Sequence, residues 1–193
     1  MKGLSFLLVL FAALILSTNN FAQDVSQDEM MKAWQEYMTP GDEHAMLSSM
    51  VGEWDGDITM WMDPSQPPQN TKGTATYQTI MGGRYVEGTY SALMMGMPFE
   101  GKDINGYDKA KKKYFTFWID NMGTGTMYVE GTYDKKTKTL NLAGEMTGPM
   151  GNTMKVREVI TIIDKDHQNF EMYMDEGRGE MKSMEIKYTR KKS

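Results

Sequence analysis

The sequence has 193 residues, of which 40% are hydrophobic and 24% are charged, and its formal net charge is −5. This length suits one domain with its own core, and a chain without cysteine has no disulfide to stabilise it. An acidic chain is poorly attracted to phosphate backbones or to anionic lipids, so we expect neither nucleic acid nor a membrane surface as a partner.

The first 22 residues have the layout of a secretory signal peptide. Lys2 gives a positive start, residues 4–16 are apolar except for one serine, and Ala22 ends a small-residue cleavage site. We therefore predict a signal peptide over 1–22, export to the periplasm or the medium, and no membrane contact after cleavage. The alternative is an uncleaved anchor, although the apolar run is shorter than the roughly 20 residues of a membrane span.

Residues 23–51 are predicted to form a pair of short helices. Ser26 and Glu29 have the spacing of a capping box, and apolar residues recur every three or four positions until a Thr-Pro-Gly stop at 39–41. Asp42 is expected to cap the second helix. We expect the pair to form a lid or cap on the domain that follows.

The domain at 52–193 is predicted to be all-β, because alternation of apolar and polar residues replaces the helical period. An even number of up-and-down strands can close without a free edge, so we predict an antiparallel ten-stranded barrel. The predicted strands are 53–62, 71–81, 84–94, 98–107, 112–121, 125–134, 138–147, 154–164, 168–176 and 180–190.

Barrel closure makes a specific prediction about the first and last strands. If these strands pair antiparallel, Arg190 lies beside Trp54, and a guanidinium over an indole is worth about 0.5–2 kcal/mol. Gly52, Trp54 and Arg190 are therefore the predicted closing residues. The Gly-x-Trp pattern with a late basic residue resembles the signature of calycins, which include the lipocalins and the fatty-acid-binding proteins.

Further short motifs extend over the rest of the chain. They are His44 with Leu47, then Gly82-Gly83-Arg84-Tyr85, Pro98-Phe99-Glu100-Gly101, Gly106-Tyr107-Asp108, Trp118-Ile119-Asp120 and Tyr188-Thr189-Arg190-Lys191. With these motifs the sequence resembles the bacterial domain-of-unknown-function family 1579. The resemblance implies a calycin-like barrel and no assigned activity.

Charged and aromatic residues within the predicted strands are the candidates for ligand contact. Charges inside a barrel must pair, and an arginine–carboxylate pair beside aromatic rings could bind a polar head group. The predicted ligand-binding residues are Arg84, Trp118, Asp120, Arg157 and Tyr173, provided that their strand faces point inward. Alternation alone leaves open which face of each strand is the interior.

From these features we expect binding of a small apolar or amphipathic molecule rather than catalysis. One alternative is an enzyme in which Asp120 and Glu171 transfer protons. Another is a structural or interaction module that uses the apolar face of helix 26–38. The sequence leaves the oligomeric state open.

The two histidines, His44 and His167, have no second histidine at metal-ligand spacing, and no nucleotide-binding motif is present. We therefore expect no metal and no cofactor. The 21 methionines are the unusual feature, because thioethers suit Cu(I). Methionine also fills cores and lines adaptable apolar pockets, and that is the interpretation we favour.

Overall fold

The computed structural model describes residues 26–63 and 65–192. The chain divides into two units, with the boundary between Met38 and Thr39. The predicted signal peptide, residues 1–22, lies outside the described residues. Neither described helix is long and apolar enough to cross a membrane.

The first unit contributes helix α1, Gln27–Met38. The predicted capping box is present, since the Glu29 N–H donates to the Ser26 hydroxyl at 3.2 Å and the Ser26 N–H donates to the Glu29 carboxylate at 3.0 Å. These two bonds satisfy backbone donors that a helix start leaves unpaired. The helix ends one residue before the Thr-Pro-Gly stop, and its apolar side chains are exposed.

The second unit begins with helix α2, Asp42–Ser48. Its N-cap is Gly41 rather than the predicted Asp42, which is the first helical residue. The Gly41 N–H donates to Nδ1 of His44 at 3.1 Å, so the imidazole supplies the capping interaction. His44 is buried, and burial lowers its pKa.

Ten strands follow, and each predicted strand is found with its ends displaced by at most two residues. A single 3₁₀ turn, Met81–Gly83, separates the second strand from the third. The strands are β1 Gly52–Met60, β2 Gln69–Ile80, β3 Tyr85–Met94, β4 Met97–Asp108, β5 Lys113–Asp120, β6 Met127–Asp134, β7 Thr139–Thr147, β8 Thr153–Ile162, β9 His167–Asp175 and β10 Met181–Arg190.

The strands form one closed antiparallel barrel in chain order, which confirms the predicted fold class. β1 pairs with both β2 and β10, and in the second pairing Trp54 lies opposite Arg190 and Met60 lies opposite Met184. Closure leaves no strand edge open to association with another chain. We call the end where α2 packs on β3 and β4 the α2 end.

Apolar and polar side chains alternate along the strands, and the apolar ones form the core inside the barrel. In β1 the side chains of Trp54, Ile58 and Met60 are buried, whereas Asp55 and Asp57 between them are exposed. Residues that alternate in this way lie on opposite faces of a strand.

Inward-facing glycines leave room for large rings of the neighbouring strand. A Cβ on Gly101 would lie 2.6 Å from Cζ2 of Trp118, which is closer than two carbon atoms can pack. The indole therefore occupies the space that a side chain at position 101 would need. A Cβ on Gly56 would likewise lie 3.1 Å from Cε1 of Tyr188.

Candidate functional site

The α2 end is organised by Arg190. Its guanidinium carbon lies 4.1 Å from the centroid of the Trp54 ring, a cation–π geometry. The same guanidinium donates to the carbonyl oxygens of Val51 and Ser49, the latter at 3.0 Å, and its Nε donates to the Lys165 carbonyl oxygen at 2.8 Å. One side chain thus connects the last strand to the first strand and to the segment that ends α2.

Gly52, the third residue predicted for closure, lies against the same guanidinium. Its φ of 135° is in the region that side chains rarely adopt, and an added Cβ would overlap Nη1 of Arg190. The Trp54 indole is fixed from the other side, because its Nε1 donates to the Met50 carbonyl oxygen at 3.0 Å. The structure therefore brings Gly52, Trp54 and Arg190 together.

A pocket of about 330 Å³ lies at this end of the barrel. Small-molecule sites commonly have volumes of about 300–1,000 Å³. Apolar and aromatic side chains form one part of its lining, and charged side chains of the turns form another. The lining residues of this α2-end pocket are Met46, Ser49, Met50, Trp54, Tyr133, Lys138, Ile162, Asp164, Lys165, Gln168 and Arg190.

Gln168 is the polar side chain buried in this pocket, with 3% of its surface exposed. Within the described residues its side-chain amide makes no hydrogen bond. Because Gln168 lines the pocket, its amide can hydrogen-bond to water or to a bound molecule there. The amide thus marks a place in the pocket where a polar group would be stabilised.

A wider groove of about 570 Å³ runs along the outside of β2 to β5. Its lining is mostly outward-facing, with threonine and serine hydroxyls and exposed charges such as Glu100 and Lys102. The groove is more open to solvent than the α2-end pocket and would enclose less of a ligand's surface, so the α2-end pocket is the better candidate site.

The barrel interior contains a polar network centred on Asp103, which is 6% exposed. Its carboxylate accepts hydrogen bonds from the Gly88 N–H at 2.8 Å, the Asn105 amide at 2.7 Å and the Tyr90 hydroxyl at 2.5 Å. The hydroxyl oxygens of Tyr77 and Tyr90 are 2.9 Å apart. Because Tyr90 gives its one proton to Asp103, Tyr77 donates in that pair.

Burial raises the pKa of Asp103 to about 6, although its three hydrogen bonds act in the opposite direction. Glu158, on β8, is 4% exposed and makes no hydrogen bond within the described residues. Burial, with a further contribution from the nearby charge of Asp103, raises the pKa of Glu158 to about 8. Glu158 is therefore protonated at neutral pH and can donate a proton or a hydrogen bond inside the barrel.

Neither of these two carboxyl groups is among the site residues predicted from the sequence. A signal for Glu158 is present, because it alternates with Val156 and Ile160, and a charge within an apolar face is a sign of a buried polar group. Asp103 alternates in the same way with Gly101 and Asn105.

Trp118 and Asp120, two of the predicted ligand-binding residues, lie on the inward face of β5. The Trp118 Nε1 donates to the Asp120 carboxylate at 2.7 Å, and the Met122 N–H donates to the same carboxylate at 2.9 Å. The indole packs on Tyr90 with ring centroids 5.0 Å apart. These bonds hold the Trp118 ring in place at the end of the barrel opposite α2.

Arg157 and Tyr173 differ from the expectation that their faces point inward. The Arg157 guanidinium lies 3.9 Å from the Tyr173 ring centroid and donates to both oxygens of Glu180, at 2.7 and 2.8 Å. This cluster is on the outer face, because the alternate residues Val156 and Glu158 are buried. Both faces of β8 carry charge, with Lys155 and Arg157 on the outer face and Glu158 on the inner one, so the position of a charged residue did not identify the inner face.

Arg84 lies outside the strands, at the end of the 3₁₀ turn, where its side chain donates to the Met81 carbonyl oxygen at 3.2 Å. Glu171, the partner of Asp120 in the enzyme alternative, forms an ion pair with Lys182. The structure thus does not bring the five predicted ligand-binding residues into one site. Among the described residues, no group of three or more His, Cys, Asp or Glu side chains could hold a metal ion.

Comparison with known proteins identifies a family and a fold. A family model for a protein of unknown function, DUF1579, matches residues 39–190. No curated protein sequence matches the chain significantly. Rv2717c from M. tuberculosis has a similar structure, with a TM-score of 0.59 and 14% identity over 80% of this chain and 100% of that chain.

A protein of unknown function from the DUF3598 family of Nostoc punctiforme is similar more distantly. Its TM-score is 0.39, with 12% identity over 75% of this chain and 48% of that chain. At these identities the similarity to Rv2717c shows the fold alone.

Proposed function

The chain belongs to the DUF1579 family of proteins of unknown function, and we propose that this member is an exported protein that binds a small amphipathic molecule. The observation that carries the proposal is the α2-end pocket, which has a volume of about 330 Å³ and contains the buried amide of Gln168. A ligand that fills it would replace about eleven waters, at about 30 Å³ each.

The lining of the pocket favours a molecule with an apolar body. Met46 and Met50 supply flexible thioether side chains that adapt to different shapes, and Trp54 and Tyr133 supply aromatic surface. Displacing water from this surface contributes roughly 25 cal/mol per Å² of apolar area. The apolar body of a ligand would therefore pack against α2 and the first strand.

The rim of the pocket favours an acidic head group. Lys138, Lys165 and Arg190 line it, and Asp164 is the one acidic residue among the lining side chains. Asp164 is already engaged, because its carboxylate accepts hydrogen bonds from the Asp166 N–H at 2.8 Å and from Nδ1 of His167 at 2.9 Å. Asp166 lies 3.7 Å from Lys165 and 3.9 Å from Arg190, so the two acids leave an excess of one positive charge over the three cations. This excess would attract a carboxylate although the chain as a whole is acidic.

The proposal is tested by calorimetric titration of the purified full-length protein with decanoate and with decanol, which share a chain length and differ in charge. We expect both to bind, and decanoate to bind more tightly. Met46→Trp should abolish binding of both, because the larger ring fills the pocket. If neither compound binds at millimolar concentration, or if Met46→Trp binds both as the original protein does, the pocket is not the ligand site.

The proposed contact between a lysine and the acidic head group can be tested with a control lysine in the same turn. Lys138→Gln should weaken decanoate binding by about two- to fivefold, as expected for one exposed charge pair, and should leave decanol binding unchanged. Lys136 lies in the same turn but does not line the pocket, so Lys136→Gln should affect neither compound. Equal effects of the two substitutions would show general charge attraction rather than head-group contact.

Export is tested separately, by fractionating producing cells and sequencing the amino terminus of the recovered protein. We expect the protein outside the cytoplasm, starting at Gln23. Recovery with Met1 intact in the cytoplasm would refute the signal peptide. Native mass spectrometry of the same material would show any molecule retained from the host.

A further inference from the structure

Methionines are concentrated at the end of the barrel opposite α2. Each methionine that is buried in the strands, or packs there against the core, lies in the half of its strand remote from α2. We call this the methionine end. These residues are Met60, Met94, Met127, Met146, Met154, Met172 and Met184.

Three of them form a continuous row across neighbouring strands. Met60 on β1 lies opposite Met184 on β10, and Met184 lies opposite Met172 on β9. Opposed residues in an antiparallel pair have Cα atoms about 4.5–5.5 Å apart. Because a methionine side chain has three rotatable bonds, three adjacent thioethers on the inner face can turn their sulfur atoms toward one point.

Glu158 is the next member of the same row, since it lies opposite Met172 on β8. It is 4% exposed and makes no hydrogen bond within the described residues. A carboxylate in such a place is stable only with a proton or a cation beside it. The row therefore contains three soft neutral ligands and one buried group that can balance a single positive charge.

We propose that Met60, Met172, Met184 and Glu158 form a binding site for a soft monovalent cation of the Cu(I) class. Thioether sulfur selects Cu(I), and by the same softness Ag(I), over Mg²⁺ and Ca²⁺, which prefer oxygen ligands. One cation with one carboxylate is electrically neutral, so the ion adds no net charge to the interior. This inference replaces the expectation that these methionines only fill the core.

The test uses the full-length protein labelled at the methionine methyl carbons and titrated with Ag(I) in chloride-free buffer. We expect saturation at one ion per chain, with the methyl resonances of Met60, Met172 and Met184 shifted first. Met150 is 90% exposed at the same end and should respond only to excess ion. If Met150 shifts first, or no resonance saturates, exposed thioethers bind the ion and the proposal fails.

Substitutions that conserve volume separate ligation from folding. Glu158→Gln should weaken Ag(I) binding by about 10- to 100-fold, the usual effect of losing a group that supports a metal site. Met172→Leu combined with Met184→Leu should abolish the stoichiometric site, because leucine has similar volume and no sulfur. Each variant should keep its circular dichroism spectrum.

The matched control is a second pair of opposed methionines on the same inner face. Met146 and Met154 lie opposite each other on β7 and β8, but neither lies opposite a carboxylate. Met146→Leu with Met154→Leu should keep the Ag(I) affinity within about twofold. If the two double-leucine variants lost Ag(I) affinity equally, or if Glu158→Gln kept the original affinity, the proposed site would be wrong. Anaerobic competition with a Cu(I) chelator should give the same order of affinities.

Discussion

Glu158 should make the stability of the barrel depend on pH in a way that one substitution removes. Its pKa rises from 4.5 to about 8 on folding, chiefly because of burial. The folded state therefore retains a proton that the unfolded state releases, so this stabilisation is complete below pH 4.5 and is lost as the pH rises to about 8. At about 1.4 kcal/mol per pH unit the full loss is about 5 kcal/mol.

The pH range from 6.5 to 8 isolates this effect. Asp103 acts in the same direction, but its pKa in the folded protein is about 6. His44, whose pKa is lowered from 6.5 by burial, acts in the opposite direction below pH 6.5. Across the isolated range the protein should lose about 2 kcal/mol of unfolding free energy. Glutamine has the same shape as glutamate and no charge, so the unfolding free energy of the Glu158→Gln variant should not fall over this pH range because of residue 158.

The assay is urea unfolding at a series of pH values, followed by tryptophan fluorescence. Glu145 is exposed on the outer face of the neighbouring strand β7, so Glu145→Gln is the matched control and should keep the original slope. At pH 8, Glu158→Gln should be the most stable of the three proteins. If the unfolding free energy of Glu158→Gln fell as steeply with pH as that of the original protein between pH 6.5 and 8, the pH dependence would not come from Glu158.

Three further substitutions test closure, packing and the outer face. Arg190→Ala should cost about 2–4 kcal/mol in urea unfolding, because it removes the cation–π contact with Trp54 and hydrogen bonds from a charged donor to carbonyl oxygens. Gly101→Ala should cost about 1–3 kcal/mol, because the new methyl group overlaps Trp118, and it should shift the tryptophan emission maximum. Arg157→Gln should cost about 1 kcal/mol or less and leave decanoate affinity unchanged, since its ion pair is on the outer surface.

The first two of these predictions have control substitutions elsewhere in the chain. Lys191 forms rim ion pairs with Asp55 at 3.6 Å and with Glu53 at 4.0 Å, so Lys191→Ala should change the unfolding free energy by about 0.5 kcal/mol or less. An added methyl on Gly125 meets no atom within 4 Å, so Gly125→Ala should leave the emission spectrum unchanged. If Lys191→Ala lost as much unfolding free energy as Arg190→Ala, or Gly125→Ala shifted the emission as much as Gly101→Ala, the contacts described above would not be the cause.

Local patterns in the sequence determined the secondary structure and the closure of this protein. Strand boundaries follow from the two-residue alternation and from the turn residues between runs, which act over only a few positions. The contact between Trp54 and Arg190 followed from pairing the first and last strands, because an antiparallel register fixes which residues meet.

Only the tertiary structure decided which charged residues are inside. In β8 the face with Val156 and Ile160 is the more apolar one, but it carries Glu158 while the opposite face carries Arg157, so the presence of a charge did not show which face is inside. The choice depends on the register with β7 and β9, because one-residue slippage exchanges the two faces. The α2-end pocket and the row from Met60 to Glu158 join residues from distant segments, so their existence depends on closure and register together.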